Sequence, residues 1–384
     1  MRILRLLIPL FLYAAAAAQS SEPSQQRPTL NRSREPLPAA TPQASPSPAR
    51  SPGPAPAATP SPALQSEPVS GQPGAPVDYP RPSYPDLLPH FDYDSHAGLE
   101  TRETNVEKRG DVRLIEVNYA GASGDRVPAY LLIPHGNGPF PAIIWGHWLM
   151  KGSPLANKDE FLEEALVLAR AGVVSLLIDA PQVRHDFVEQ KGANTLELVK
   201  QQSEAAGHQV IDLRRGVDLL LGRHDVDRKR IAYVGHSWDA HVGAILAGVD
   251  TRICCYVLMA SGYSDEEELF ASKDPGRMAQ IKEMGEDNVR EYFHEYAWDD
   301  PVYFLGHTDR ESIFLQFASH DGISKEQGQK YLDAFSSKDK KMEFYDAPHA
   351  LNATARLDRA RWLQKHLGMK KIDETALGQI EQLK

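Results

Sequence analysis

Between residues 113 and 347 the chain repeats one alternation: a short β-rich run, then a longer stretch with apolar residues at helical spacing. No other feature constrains the fold as much. RLIEVNYA (113–120) and VPAYLLIP (127–134) flank the turn-rich GASGDR and predict an antiparallel hairpin. AIIWGH (142–147), VVSLLIDA (173–180), RIAYVGHS (230–237), ICCYVLMA (253–260), SIFLQFAS (312–319) and MEFYDA (342–347) follow. The middle runs are continuously apolar, a pattern of strands covered on both faces. Helical patterns lie at 158–172, 208–222, 238–248, 324–337 and 351–367. This order predicts an α/β fold: an eight-stranded, mostly parallel, doubly wound sheet with helices on both faces. The first pair is expected to be antiparallel and the rest joined by helical crossovers. Ligand chemistry in such sheets sits at the carboxyl ends of the strands.

Three of those ends carry residues of one chemistry. RIAYVGHS ends at Ser237 and runs straight into a small-residue helix, DAHVGAILAG. FASHDG places Asp321 after the seventh run, and DAPHAL places His349 after the eighth. Ser, Asp and His in that chain order suit a nucleophile, the residue that orients the base, and the base itself. The backbone N–H of Trp238, at the start of the helix, is a natural donor to a developing oxyanion. Its partner is expected from the loop after the third run, as the N–H of Leu149 or of Trp148. His147, Trp148, Trp238 and His241 are the side chains placed to line a pocket.

Several of these residues have rival readings. Ser237 would also serve as a helix N-cap. Asp309 precedes its strand and reads as surface, whereas Asp346 competes with Asp321 for His349. His236 adjoins the nucleophile but faces the other side of an extended strand. His320 reads as structural, and Asp179 as an organiser of loops. No H-E-x-x-H or C-x-x-C is present, so no catalytic metal is expected.

GHSWDA, FASHDG, DAPHAL and WGHW together resemble α/β-hydrolase-fold enzymes, nearest to the dienelactone-hydrolase-like and acetyl-esterase-like group. They also resemble prolyl-oligopeptidase catalytic domains, and the resemblance spans about residues 90–370. It implies a serine esterase that cleaves a carboxylic ester through an acyl-enzyme, without metal or cofactor. Dienelactone hydrolases proper use cysteine where this chain has Ser237. One letter departs from the G-x-S-x-G turn, because Asp239 replaces the second glycine. Its side chain is expected to point away from the sheet or into the first helical turn, paired or turned to solvent. The alternatives are a non-catalytic binding domain on the same fold and a small-amide or peptide hydrolase.

MRILRLLIPLFLYAAAAA (1–18) has the layout of a secretory signal peptide, cleaved after Ala18, which predicts a secreted or periplasmic protein. Residues 20–89 hold 19 of the 29 prolines, so 19–89 reads as a disordered tether before a catalytic domain at 90–370. Residues 371–384 read as a frayed tail. Loss of Arg2 and Arg5 takes the formal charge from −10 to −12, which disfavours nucleic acid or an anionic membrane as partner. The partner expected is a small-molecule or polysaccharide-linked ester, with the oligomeric state left open. Cys254 and Cys255 are adjacent in an apolar run and read as buried thiols. The stretches 182–207 and 263–309 are inserted at strand carboxyl ends, where they would overhang the site.

Overall fold

Ala142 and Ile144 turn to one face of their strand and Ile143 and Trp145 to the other, and all four are buried. That alternation, repeated across the sheet, feeds two separate cores. In this computed structural model, which describes residues 79–381, the strands are β1 (Arg102–Arg109), β2 (Val112–Ala120), β3 (Arg126–Ile133), β4 (Phe140–Gly146), β5 (Val174–Ile178), β6 (Val226–His236), β7 (Cys255–Met259), β8 (Ser312–Ala318) and β9 (Asp339–Tyr345). The helices are α1 (Tyr84–Leu87), α2 (Leu162–Arg170), α3 (Thr195–Leu221), α4 (Trp238–Val249), α5 (Asp265–Ala271), α6 (Pro275–Met284), α7 (Glu286–Glu295), α8 (Lys325–Ala334), α9 (Ala353–Leu367) and α10 (Glu374–Gln379). The strand order is β1-β2-β3-β5-β4-β6-β7-β8-β9. From β5 to β9 all pairings are parallel, and β1, β2, β3 and β5 pair antiparallel in turn. Helices α3, α4 and α8 pack on one face, and α2, α9 and α10 on the other.

The sheet therefore has nine strands rather than eight. The extra one, β1, reads RETNVEKR and is exposed along its whole length. An edge strand with both faces in water shows no apolar alternation, and its charges discourage pairing with other chains. The connection from β3 to β4 is a loop without a helix, so not every later link is a helical crossover.

Three boundaries move. Leu87 and Phe91 are buried in the first core, and the Tyr84 hydroxyl donates to the Gly248 carbonyl at 2.6 Å. The packed domain thus begins before residue 90. Ile372 and Leu377 are buried against the second face, so 371–381 is docked chain and not a frayed tail. Helix α3 starts at Thr195, well ahead of 208. Its start is a capping box: the Asn194 side chain accepts from the Glu197 N–H (3.0 Å), and the Glu197 carboxylate from the Asn194 N–H (2.8 Å). The signal-peptide reading and most of the tether, residues 19–78, lie outside the described residues.

The segment after β7 forms α5, α6 and α7, with a small core of its own. Leu269, Met284, Val289, Tyr292 and Phe293 pack there against Val199 on the first turns of α3. Cys255 is fully buried and Cys254 partly so, both as free thiols. Burial pushes the Cys255 thiol well up, away from the reactive thiolate.

Candidate active site

Strand β6 ends at His236 and α4 begins at Trp238, which leaves Ser237 alone to turn the chain. It does so at φ 57° and ψ −110°, a conformation that costs a non-glycine residue on the order of 1–3 kcal/mol. The Ser237 N–H donates to the Met259 carbonyl (2.8 Å), and its own carbonyl accepts from Ala240 and His241. The turn is thus held by β7 on one side and by the first turn of α4 on the other. Gly235 must lack a side chain, because a Cβ there would lie 2.2 Å from the Asp239 carbonyl oxygen.

Asp321 and His349 meet as the sequence suggested: His349 Nδ1 lies 2.6 Å from Asp321 Oδ2. Both side chains are largely sheltered, at 15% and 8% exposure. The rival carboxylate is engaged elsewhere, since Asp346 pairs with His320 at 2.9 Å on the open surface. Asp309 is exposed. Among the described residues, no hydrogen bond joins the Ser237 hydroxyl to His349.

The backbone N–H groups expected to serve as oxyanion donors differ in their hydrogen bonding. The Trp238 N–H opens α4 and has no intrahelical acceptor. The Trp148 N–H is spent, donating to Glu160 Oε2 at 2.7 Å, so Trp148 is not the second donor. Leu149, half-buried on the same loop, keeps its N–H free of protein acceptors among the described residues.

Of the four expected pocket side chains, His147 and Trp148 are buried and engaged with their neighbours. His147 is buried, accepts from the Ala180 N–H at Nε2 (2.9 Å) and donates from Nδ1 to the Trp148 carbonyl (2.7 Å). It pins the end of β4 to the residue after β5, and burial lowers its pKa. The Trp148 ring packs against His236 (5.0 Å) and lies parallel to His349 (6.1 Å). Trp238 and His241 do line a cavity, a small enclosed space shared with Ser203, Asp265, Tyr292 and Asp299. Burial alone would lower the His241 pKa; Asp265 and Asp299, facing its two ring nitrogens, overcome that and raise it to about 9. Asp179 organises a loop as expected, accepting from the Lys158 N–H (2.8 Å) and its ammonium (2.6 Å). Among the described residues, no three His, Cys, Asp or Glu side chains group to hold a metal ion.

Asp239 is the main surprise. Its side chain is fully buried against β4 rather than turned to solvent. Oδ1 accepts from Gln209 Nε2 (2.5 Å) and from the Tyr233 hydroxyl (3.1 Å). The same Gln209 accepts from the Trp238 indole N–H at 2.6 Å, so one glutamine on α3 holds both residues that follow the nucleophile. Burial drives the Asp239 pKa up to about 8, leaving the carboxyl neutral through most of the physiological range.

Two further residues went unrecognised in the sequence. Glu160 is one of four acidic residues within Asp159–Glu164 and nothing local sets it apart. Gln209 did carry a signal, a polar residue beside the apolar Val210 on a helix; it is completely buried.

The nine-stranded sheet, the strained serine turn and the Asp–His pair at the neighbouring strand ends define an α/β-hydrolase fold. No protein-family model matches the chain, and no curated protein matches it in sequence. Solved structures do resemble it. An acetyl xylan esterase from Paenibacillus sp. R4 is 16% identical, with a TM-score of 0.56 over 74% of this chain and 93% of that one. Acetyl xylan esterase 1 from Thermoanaerobacterium sp. JW/SL YS485 is 14% identical, with a TM-score of 0.55 over 73% and 92%. A glucuronoyl esterase from Solibacter usitatus is 12% identical, with a TM-score of 0.52 over 77% and 91%.

Proposed function

We propose that this chain is an exported serine hydrolase of carboxylic esters, with Ser237 as nucleophile, His349 as general base and acid, and Asp321 as the orienting carboxylate. The observation that carries the reading is the Ser237 turn, φ 57° at the amino end of α4. Strain of that kind persists only where surrounding structure holds it, and here it presents a hydroxyl beside free helix N–H groups. In the reaction, Ser237 Oγ bonds to the ester carbonyl carbon while its proton passes to His349 Nε2. The carbonyl oxygen takes the electron pair and faces the N–H groups of Trp238 and Leu149. Collapse expels the alkoxide, which takes the proton from His349, and leaves an acyl-serine. Water then attacks by the same route, releases the acid and restores Ser237.

Ester-linked carbohydrate is the substrate class favoured, because the structural neighbours named above are esterases of acetyl xylan and of glucuronoyl groups. Fluorophosphonate labelling of the wild type, lost in Ser237→Ala, tests the nucleophile. A panel of p-nitrophenyl acetate, acetylated xylan and glucuronate esters tests the class. An inert, unlabelled wild type would leave a binding domain on a hydrolase fold as the better reading. Export is tested by sequencing the amino terminus of the secreted protein, which is expected to begin at Gln19.

A further inference from the structure

Behind the proposed triad lies a second carboxylate–imidazole pair that the mechanism does not use. His236 Nδ1 lies 2.5 Å from Glu160 Oε1, and both side chains are more than nine-tenths buried. His236 Nε2 lies 2.9 Å from the backbone carbonyl oxygen of His349. A carbonyl only accepts, so Nε2 carries a proton and donates it there. The other Glu160 oxygen accepts from the Trp148 N–H at 2.7 Å. One buried unit thus grips two loops: the one that carries the proposed oxyanion donor Leu149, and the one that carries the proposed base.

The rings agree with the hydrogen bonds. His236, Trp148 and His349 stack on one another, with centroids 5.0 Å apart for Trp148–His236 and 5.1 Å for His236–His349. His236 therefore does not simply face away from the site, as an extended strand suggested. Ser237 and His236 are consecutive residues, so the nucleophile, the base loop and the oxyanion loop are all fixed from one point at the end of β6.

We propose that Glu160 and His236 are positioning residues that clamp the oxyanion loop to the base loop and set the distance between Leu149 N–H and the His349 imidazole. The inference rests on the hydrolase reading above for its catalytic consequence, though not for the clamp itself. A misplacement of about 1 Å at a reacting group costs on the order of 100-fold in rate. Glu160→Ala removes the acceptor of the Trp148 N–H and the partner that orients the His236 ring, and His236→Phe keeps the packing but removes the donor to the His349 carbonyl. Each is expected to lower kcat on p-nitrophenyl acetate by about 100-fold with little change in KM. Of two conservative variants, Glu160→Gln preserves both of its bonds and His236→Gln preserves the bond to the base loop. In Glu160→Gln the amide oxygen still accepts from Trp148 N–H while its NH2 donates to His236 Nδ1. In His236→Gln the amide nitrogen reaches the place of imidazole Nε2 and donates to the His349 carbonyl.

The test uses the full chain and measures kcat, KM and denaturation midpoint for the four variants. It adds amide hydrogen exchange of peptides spanning 147–150 and 348–351. Both loops are expected to exchange faster in Glu160→Ala than in wild type, with Glu160→Gln close to wild type in exchange and turnover. Unchanged exchange in Glu160→Ala, or Gln variants as impaired as their Ala and Phe counterparts at equal stability, overturns the clamp. A wild type that neither labels nor hydrolyses defeats the hydrolase reading instead, and the exchange result still decides whether the clamp exists.

Discussion

A Cβ added to Gly146 would stand 2.4 Å from the Cγ of Asp239, so the strand glycine and the elbow aspartate share one volume. In the usual serine turn the second glycine relieves crowding between the helix and the strand beside it. Here the clearance has moved across to β4. Asp239 fills the space on the helix side, and Gly146 gives up its side chain on the strand side.

Gly146→Ala is therefore expected to destabilise the protein by about 1–3 kcal/mol, the usual cost of overpacking a core. Adding Asp239→Gly to that variant gives the methyl group its room back. A double-mutant cycle of denaturation midpoints reads the coupling between them. Strict additivity of the two single effects would mean that the positions do not share space.

The Asp239 carboxyl also makes stability depend on pH. Its folded pKa of about 8 lies above the value of 3.8 expected in the unfolded chain. Between those values the folded state holds a proton that the unfolded state has lost, so this group's contribution falls as pH rises. The slope is at most about 1.4 kcal/mol per pH unit. Asp239→Asn keeps an acceptor for Gln209 and Tyr233 without the titration. The stability of Asp239→Asn relative to wild type should grow from pH 5 to pH 8 and then level off in denaturant titrations. A difference independent of pH would show that the carboxyl does not titrate in that window.

What the sequence revealed, and what it hid, follows from where each signal is stored. The turn at Ser237 and the meeting of Asp321 with His349 were legible because strand ends in this topology converge, and runs such as SIFLQFAS and MEFYDA mark those ends by composition alone. Strand β1 was hidden because RETNVEKR is exposed on both faces and leaves no apolar trace. The early start of α3 was written in N-T-L-E, a capping box at 194–197, but the weak apolar periodicity after it obscured the helix. Glu160 and the orientation of Asp239 could not be read locally, because each depends on partners far along the chain: His236 for the first, Gln209 and Gly146 for the second.

The choice between Asp321 and Asp346 has a direct kinetic readout. Asp321 bonds His349 Nδ1, so Asp321→Asn should leave binding intact and lower kcat on the order of 10⁴-fold through the wrong imidazole tautomer. The Asp346 side chain is 92% exposed and its carboxylate pairs with the exposed His320, so Asp346→Asn should leave turnover unchanged. The reverse ranking of the two kcat values would reassign the orienting carboxylate.

The oxyanion loop offers a test at the backbone itself. Trp148 N–H is committed to Glu160, whereas Trp238 N–H is free at the start of α4, which makes Leu149 N–H the proposed second donor toward a tetrahedral intermediate. Leu149→Pro removes that N–H, and loss of one such donor typically costs about 2.7–4 kcal/mol, or on the order of 10²–10³-fold in kcat. Leu149→Ala keeps the N–H while trimming the half-buried side chain, and it is expected to stay within about threefold of wild type. A trifluoromethyl ketone, whose hemiketal places an oxyanion in the site, should lose affinity for the proline variant far more than a neutral substrate does. Comparable kcat values for the two variants, at matched denaturation midpoints, would place the second donor elsewhere on the loop.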